Sequence, residues 1–238
     1  NVSWTPSAQK GIMNKYDNIP ENKAVYEKGN HSFLVTKHSI AEQNIQKIID
    51  VHFNAYQEIK KYFSIEDFKI FYNIFDNPID CAKAEWEKYP SLFKNNELYP
   101  INAWARYPDN INFTFSNDIK AIGYHEIVHL VTYKYFGFKS IQFLNEGIAV
   151  FFDDSWKGDD LHRLTNKQMK IEKIENILND NIFDNMDNNI SYPLAGSFCK
   201  WLIEKYTINN FIKVYKQTRN NEFNDLEKYY KEYLSFIR

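Results

Sequence analysis

The sequence predicts a chain of the α+β class, with its strands in the first half and its helices in the second. Four short runs of aromatic and β-branched residues are strand candidates, and all of them end before residue 116. From residue 119 onward the apolar residues recur mostly at helical spacing. The strand candidates are residues 31–37, 68–75, 101–107 and 111–115.

The size and composition of the chain indicate one compact domain. Of its 238 residues, 44% are hydrophobic and 17% aromatic, so the chain has ample material for a core and disorder is not expected. The net charge is −2 with both signs mixed along the chain, which excludes the clustered lysines and arginines of a nucleic-acid surface. No apolar run reaches the length of a membrane span. Cys81 and Cys199 show no metal spacing, and we expect two buried free thiols rather than a disulfide.

Local signals predict the elements that precede the first functional motif. Residues 1–30 are polar and include Pro6, Pro20 and Gly29, so we expect an extended N-terminal arm. Ser39 and Glu42 form a capping box that opens an amphipathic helix over residues 40–63. His52 on this helix is expected at the surface or half-buried.

Three further signals follow the second strand candidate. Residues 80–88 predict a short helix, and residues 108–110, Pro-Asp-Asn, predict a hairpin turn between the last two strands. Asn117 or Asp118 can cap a long apolar helix over residues 119–136.

This apolar helix carries the sequence His125-Glu126-Ile-Val-His129. Positions i and i+4 share a helix face, so both imidazoles can point at one metal ion. Glu126 can then reach a water molecule bound to that metal. The alternative is that both histidines are ordinary helix residues that bind nothing.

A second apolar helix candidate over residues 143–152 carries one carboxylate, Glu146. Gly137 can end the first helix, and the short polar connection at residues 139–142 makes the two helices neighbours, so Glu146 can face the two histidines. A buried carboxylate on an apolar helix needs a partner, because desolvating it alone is costly. Two histidines and one carboxylate leave the fourth zinc position open for water, as in catalytic rather than structural sites. The alternative is an acid favoured by the dipole at a helix N-terminus.

Together these motifs resemble a known group of enzymes. His125-Glu-x-x-His129 followed by Asn145-Glu146-Gly-x-Ala is similar to the gluzincin metallopeptidases, the clan that holds thermolysin and the aminopeptidase-N-type enzymes. Residues 192–203, Tyr-Pro-Leu-Ala-Gly-Ser-Phe-Cys-Lys-Trp-Leu-Ile, resemble the tyrosine-bearing segment of the bacterial peptidase MA-like family. The likeness is specific at these three motifs and architectural over the rest of residues 32–237.

The resemblance implies both a site and a fold. The implied zinc ligands are His125, His129 and Glu146, with Glu126 as the general base and Tyr192 as a hydrogen-bond donor to the transition state. The implied fold is a small, mostly antiparallel sheet packed on a zincin metal-binding helix and followed by an α-helical C-terminal lobe.

A domain organisation follows from this fold. After the arm, residues 31–238 are expected to form a single zincin-like catalytic domain, with a sheet and metal-helix lobe over residues 31–137 and a helical lobe over residues 138–238. The edge strand of the sheet is expected along the cleft, where residues 103–107 can hold an extended peptide by strand addition. An ordinary edge strand is the alternative.

The predicted C-terminal lobe consists of helices and one loop. Residues 161–177 predict one or two helices with His162 exposed, and the Asn- and Asp-rich residues 179–189 predict a mobile loop near the site. Tyr192 is expected to begin the next helix, with Pro193 in its first turn.

Two details of the site follow from neighbouring residues. The small residues 195–197 would let their helix approach the metal helix closely. Thermolysin-type enzymes carry an aspartate four residues after the ligand glutamate, where this chain has Val150. Asp153 is a candidate to orient the imidazoles instead, and a solvated helix end is the preferred interpretation.

The predicted activity is zinc-dependent hydrolysis of peptide bonds in a peptide or protein substrate, with one catalytic Zn²⁺ as the cofactor. The Gly-x-Met-Glu-Asn motif of the aminopeptidase-N branch is absent upstream of His125, which favours an endopeptidase or a narrow-specificity peptidase over an aminopeptidase. A non-catalytic zincin-like module for binding or adhesion is a further alternative, although such a module would usually have lost the base or a ligand.

The start of the sequence bears on where the protein acts. The chain begins at Asn1 without a methionine, and no signal peptide is visible. We expect a processed chain that is secreted or surface-attached after removal of a signal, with a cytoplasmic location as the alternative.

Overall fold

The described residues in the computed structural model are 19–86, 98–154, 157, 159–168 and 174–237. They form a five-stranded sheet and eleven α-helices, which confirms the predicted α+β class. Contacts along the chain define two compact units, Asn1–Gln57 with Glu66–Leu130, and Glu58–Ile65 with Val131–Arg238. The predicted lobes over residues 31–137 and 138–238 stay a prediction.

The sheet belongs to the first unit and is mixed. Its strands lie in the order β1-β2-β3-β5-β4, and they are β1 (Lys23–Lys28), β2 (His31–Thr36), β3 (Ile70–Phe75), β4 (Ala103–Arg106) and β5 (Asn110–Thr114). The β1–β2 and β4–β5 pairs are antiparallel, whereas β2–β3 and β3–β5 are parallel. The prediction of a mostly antiparallel sheet is therefore wrong. Helices separate β2 from β3 and β3 from β5 in the sequence, and such crossovers return the chain in the same direction.

Strand β1 corrects the prediction of an arm over residues 1–30. It forms a hairpin with β2 across Gly29 and Asn30, with Lys28 opposite His31. Gly29 has a φ of +57°, a conformation that glycine adopts readily. A Gly-Asn pair in a two-residue loop is a hairpin signal, but the polar composition of the segment obscured it. Residues 1–18 of the predicted arm lie outside the described residues.

Two helices, α1 (Ile40–Gln43) and α2 (Ile45–Phe63), replace the single helix predicted over residues 40–63. They are divided at Asn44, whose side-chain amide donates to the Ile40 carbonyl at 2.8 Å. Ser39 caps α1 as predicted, because its Oγ accepts from the Glu42 N–H at 3.1 Å. The Glu42 carboxylate accepts from the His38 N–H at 2.6 Å, so the capping box closes one residue earlier than expected.

Helix α3 and the β4–β5 hairpin of the first unit lie close to their predicted bounds. Helix α3 (Pro78–Trp86) replaces the predicted residues 80–88, of which the last two lie outside the described residues. Antiparallel pairing of β4 with β5 confirms the predicted hairpin.

His52 on α2 is only 2% exposed, so the prediction of a surface or half-buried position is wrong. Its ring centroid lies 4.9 Å from those of Tyr72 and Phe113. Burial, with a smaller effect of His31, lowers the pKa of His52 to about 3. Burial also lowers the pKa of His31, whose Nδ1 lies 2.9 Å from the Tyr72 hydroxyl, to about 4. Both imidazoles are therefore neutral in the folded protein at neutral pH.

This buried histidine pair predicts a loss of stability in mild acid. The unfolded chain binds protons at His52 with a pKa near 6.5, whereas the folded chain does so only near pH 3. Stability is therefore full above about pH 6.5 and falls as the pH drops toward the folded pKa. For His52 alone the loss between pH 7 and pH 5 is about 2 kcal/mol.

Urea unfolding at pH 7 and pH 5, followed by circular dichroism, measures this loss. His52→Leu should lose less stability between the two pH values than the wild type. His38→Asn, at an exposed histidine, is the control and should behave like the wild type. An equal loss in all three proteins would contradict the assignment.

The second unit is helical over its described residues. Helix α4 (His125–Phe136) begins in the first unit and continues into the second. The helices that follow are α5 (Gln142–Asp153), α6 (Leu161–Gln168), α7 (Ile174–Ile177), α8 (Asp180–Phe183), α9 (Asn188–Lys205), α10 (Ile208–Gln217) and α11 (Asn224–Phe236). Within the described parts, none of the helices has the length and apolar character needed to cross a membrane. Cys81 on α3 and Cys199 on α9 are buried free thiols, as expected.

The Asn- and Asp-rich residues 179–189, predicted as a mobile loop, instead form and cap helices. Asn179 caps α8, and its side chain accepts from the Ile182 N–H. Asp187 caps α9, so that helix begins four residues before Tyr192. Pro193 consequently lies in the interior of α9 and not in its first turn, which corrects the prediction. Asparagine and aspartate favour helix N-caps, and this preference accounts for the composition of the segment.

Helix α9 packs closely against α5, the helix of Glu146. The predicted close approach of residues 195–197 to the helix of the two histidines stays a prediction. A Cβ atom on Gly147 would lie 2.7 Å from both the Ala195 carbonyl oxygen and the Cys199 Sγ. A Cβ atom on Gly196 would collide with the side chain of Val150. These glycines therefore allow the two helix backbones to approach each other.

Gly147→Ala tests this close approach. Alanine is intrinsically better than glycine in a helix by about 1 kcal/mol, so without a collision the variant would be stabilised. Because the added methyl group meets backbone, we expect a net loss of about 1–3 kcal/mol in the free energy of unfolding. Chemical denaturation of the metal-free protein shows whether the variant loses or gains stability relative to the wild type. A gain in stability would contradict the close packing of the two helices.

Candidate metal centre

Helix α4, which carries the two histidines, begins later than the sequence predicts. The sequence predicts a start at residue 119, whereas α4 starts at His125. Residues before it form a tight loop in which the Ser116 N–H donates to the Ile119 carbonyl at 2.7 Å and Gly123 has a φ of +150°. Neither Asn117 nor Asp118 caps the helix. His125 and Glu126 therefore occupy its first turn, where the helix dipole favours negative charge.

Three predicted ligands come together at this helix. His125, His129 and Glu146 offer ligand atoms that all lie within 4.8 Å of one another. The two imidazole rings are nearly perpendicular, with centroids 4.9 Å apart. His129 and Glu146 are each 7% exposed, and His125 is half-buried. The i and i+4 spacing on α4 gives the histidine pair, as the sequence predicts.

The donor set suits a zinc ion. Imidazole nitrogen and carboxylate oxygen are both common zinc ligands, with bonds of about 2.0–2.2 Å. A tetrahedral ion with such bonds holds its ligand atoms about 3.4 Å apart, and the three candidate ligand atoms lie within 4.8 Å of one another. The Glu146 carboxylate is only 7% exposed, which would be costly without partners, and a cation at this point would offset that cost.

A hydrogen-bonded chain behind Glu146 was not predicted from the sequence. The Asn145 side-chain amide donates to Glu146 Oε1 at 3.1 Å, and the Tyr215 hydroxyl donates to Asn145 Oδ1 at 3.5 Å. The Ser140 backbone N–H donates to the Tyr215 oxygen at 3.1 Å. Asn145 belongs to the Asn-Glu-Gly motif, but Tyr215 follows it by 70 residues and has no local signal that links the two.

The other predicted site residues lie on α4, α5 and α9. Glu126 is half-buried on α4, and its charge contributes, after burial and Glu85, to a raised pKa of about 12 at Cys81. Tyr192 is half-buried on α9, with its ring 6.3 Å from that of Phe183. The roles of Glu126 and Tyr192 stay predictions. Val150 is fully buried in the core, and Asp153 is half-buried at the end of α5.

His162 is half-buried, in contrast to the expected exposed position. Its Nδ1 lies 2.7 Å from Ser197 Oγ, and the Tyr233 hydroxyl donates to the same oxygen at 2.7 Å. Its Nε2 lies 4.0 Å from a Glu204 carboxylate oxygen. A serine, a histidine and a glutamate therefore lie in a row in space, as in the catalytic triads of some hydrolases. Ser197 is completely buried, so a substrate cannot reach it. The group therefore ties α6, α9 and α11 together and is not a nucleophilic site.

Comparison with known proteins gives no family for this chain. It matches no protein-family model and no curated protein. Inference about function therefore depends on the donor set and its surroundings.

Proposed function

We propose that this protein is a zinc metallopeptidase of the gluzincin type, which hydrolyses peptide bonds. The observation that carries the proposal is the convergence of His125, His129 and Glu146 within 4.8 Å. Three protein ligands leave one position of a tetrahedral zinc ion open, which is the arrangement of catalytic sites. A structural zinc site would use a fourth protein ligand instead.

Glu126 distinguishes a hydrolase from other uses of the same three ligands. Two histidines and a carboxylate also hold iron in some oxygenases. Glu126 directly follows a proposed ligand and lies in the same first turn of α4, so its carboxylate can serve as a base beside the metal. An oxygenase has no need of this base, whereas hydrolysis by water does.

The proposed roles divide the reaction among these groups. When bound, zinc supplies a Lewis acid that makes water a nucleophile at neutral pH and polarises the substrate carbonyl. The Glu126 carboxylate takes a proton from the attacking water while the water oxygen forms a bond to the carbonyl carbon of the substrate. Glu126 then delivers that proton to the amide nitrogen as the C–N bond breaks. The Tyr192 hydroxyl donates a hydrogen bond to the carbonyl oxygen as negative charge develops there.

Strand β4 is the proposed support for an extended substrate. It is at the end of the strand order, and among the described residues it pairs only with β5. Its outer edge can therefore pair with a peptide backbone by strand addition. Trp104 on this strand is 39% exposed and offers an apolar surface beside such a peptide.

Two alternatives differ from this proposal in specific ways. An aminopeptidase of the same clan would need a group that binds the substrate's amino terminus, and the motif that supplies it in the aminopeptidase-N branch is absent upstream of His125. A non-catalytic zincin-like binding module would have no need of Glu126. The presence of the base with all three ligands favours catalysis.

Metal content and activity of two variants test the proposal. The wild type should bind one equivalent of zinc, and Glu146→Ala should bind it much more weakly because a ligand is lost. Glu126→Gln should keep the zinc and lose about 10²–10⁴-fold in peptide hydrolysis, because the base is lost. Elemental analysis and cleavage of a mixed peptide library measure the two quantities.

Glu222→Gln, at an exposed glutamate on the connection before α11, is the control and should match the wild type in both assays. Iron in place of zinc would favour an oxygenase and contradict the proposal. Full activity of Glu126→Gln would show that another group is the base. Zinc binding without hydrolysis of any peptide would favour the binding module.

A further inference from the structure

The hydrogen bonds behind Glu146 run from Ser140 through Tyr215 and Asn145 to the carboxylate. A backbone N–H can only donate, so the Ser140 N–H makes the Tyr215 oxygen an acceptor, and the Tyr215 hydroxyl proton remains to be donated elsewhere. It is donated to Asn145 Oδ1, which turns the amide nitrogen of Asn145 toward Glu146 Oε1. The reverse amide orientation would place an oxygen against the carboxylate. These contacts are consistent with one another and place the amide nitrogen of Asn145 against Glu146.

Tyr215 also contacts α4, the helix that carries the two histidines. Its ring stacks on Phe136, the last residue of α4, with centroids 4.0 Å apart and an angle of 17° between the rings. A side-chain hydrogen bond joins its hydroxyl to Thr132, which is also on α4 and is fully buried. Tyr215 is fully buried as well. One side chain on α10 thus contacts the helix that carries both histidines and, through Asn145, the carboxylate on α5.

We propose that Tyr215 and Asn145 are positioning residues that hold the Glu146 carboxylate in the orientation needed to bind zinc together with the histidines of α4. This inference rests on the zinc site proposed above. Groups that hydrogen-bond a metal ligand from outside fix its orientation, and their loss typically weakens metal affinity by about 10–100-fold. Burial strengthens the effect, because Asn145 is 2% exposed and water cannot easily replace its amide.

Tyr215→Phe is the main test, because it keeps the stacked ring and removes only the hydroxyl. Tyr233→Phe is a matched control: this tyrosine is also fully buried in the second unit, and its hydroxyl donates to Ser197 and not toward Glu146. The zinc dissociation constant is measured by competition with a chelator, and the visible spectrum of the cobalt-substituted protein reports the ligand geometry. Unfolding of the metal-free proteins measures the purely structural cost.

Both variants should lose similar stability without metal. Only Tyr215→Phe should bind zinc about 10-fold or more weakly and show an altered cobalt spectrum. Asn145→Leu removes the amide that contacts the carboxylate and should weaken zinc binding as well, so it serves as the test if Tyr215→Phe does not fold.

Each remaining outcome has a distinct meaning. Equal zinc affinity in the wild type and Tyr215→Phe overturns the positioning role and leaves the proposed peptidase intact. An equal loss of zinc affinity in Tyr215→Phe and Tyr233→Phe also overturns it, because a general loss of packing would then explain the effect. A wild-type protein that binds no zinc overturns both the site and this inference. Zinc binding that depends on Tyr215, without peptide hydrolysis, supports the positioning role and contradicts only the peptidase.

Discussion

The burial of the Glu146 carboxylate is the constraint on which the site depends. A charged group that is 7% exposed on an apolar helix is costly to keep ionised unless donors or a cation surround it. Asn145 supplies one donor at 3.1 Å, and two imidazoles lie within reach of a shared ion. The close packing of α5 on α9, which Gly147 permits, keeps water away from the other side of the helix. The burial of this carboxylate and its proposed role as a zinc ligand are therefore linked.

Local patterns were sufficient to predict the parts of the site that lie on single helices. The i and i+4 spacing brings His125 and His129 to one face of α4, and Gly137 ends that helix with a φ of +74°. Glu146 was predicted to face them because the connection between the helices is short. Four of the strands were likewise found near their predicted bounds, since aromatic and β-branched runs favour extended backbone.

Features that depend on tertiary pairing were not predicted. The parallel pairing of β3 with β2 and β5 has no local signal, because it is set by the crossover connections. The late start of α4 depends on the loop between Ser116 and Gly123, which interrupts a pattern that is helical by composition alone. Tyr215 reaches Asn145 across 70 residues of sequence. As one of seventeen tyrosines, it has nothing in its own sequence surroundings to distinguish it.

Two histidines of this chain show why burial alone does not identify a candidate metal ligand. His52 is 2% exposed and His129 is 7% exposed, so burial would rank His52 first. The rings of Phe33, Tyr72 and Phe113 surround His52, and desolvation holds its imidazole neutral. His31 is a second imidazole near it, but within the described residues His52 belongs to no group of three possible metal ligands. His129 instead has another imidazole and a carboxylate within 4.8 Å. The proposal of a metal site therefore rests on the groups that surround a buried side chain, and at Glu146 those groups extend through Asn145 to Tyr215.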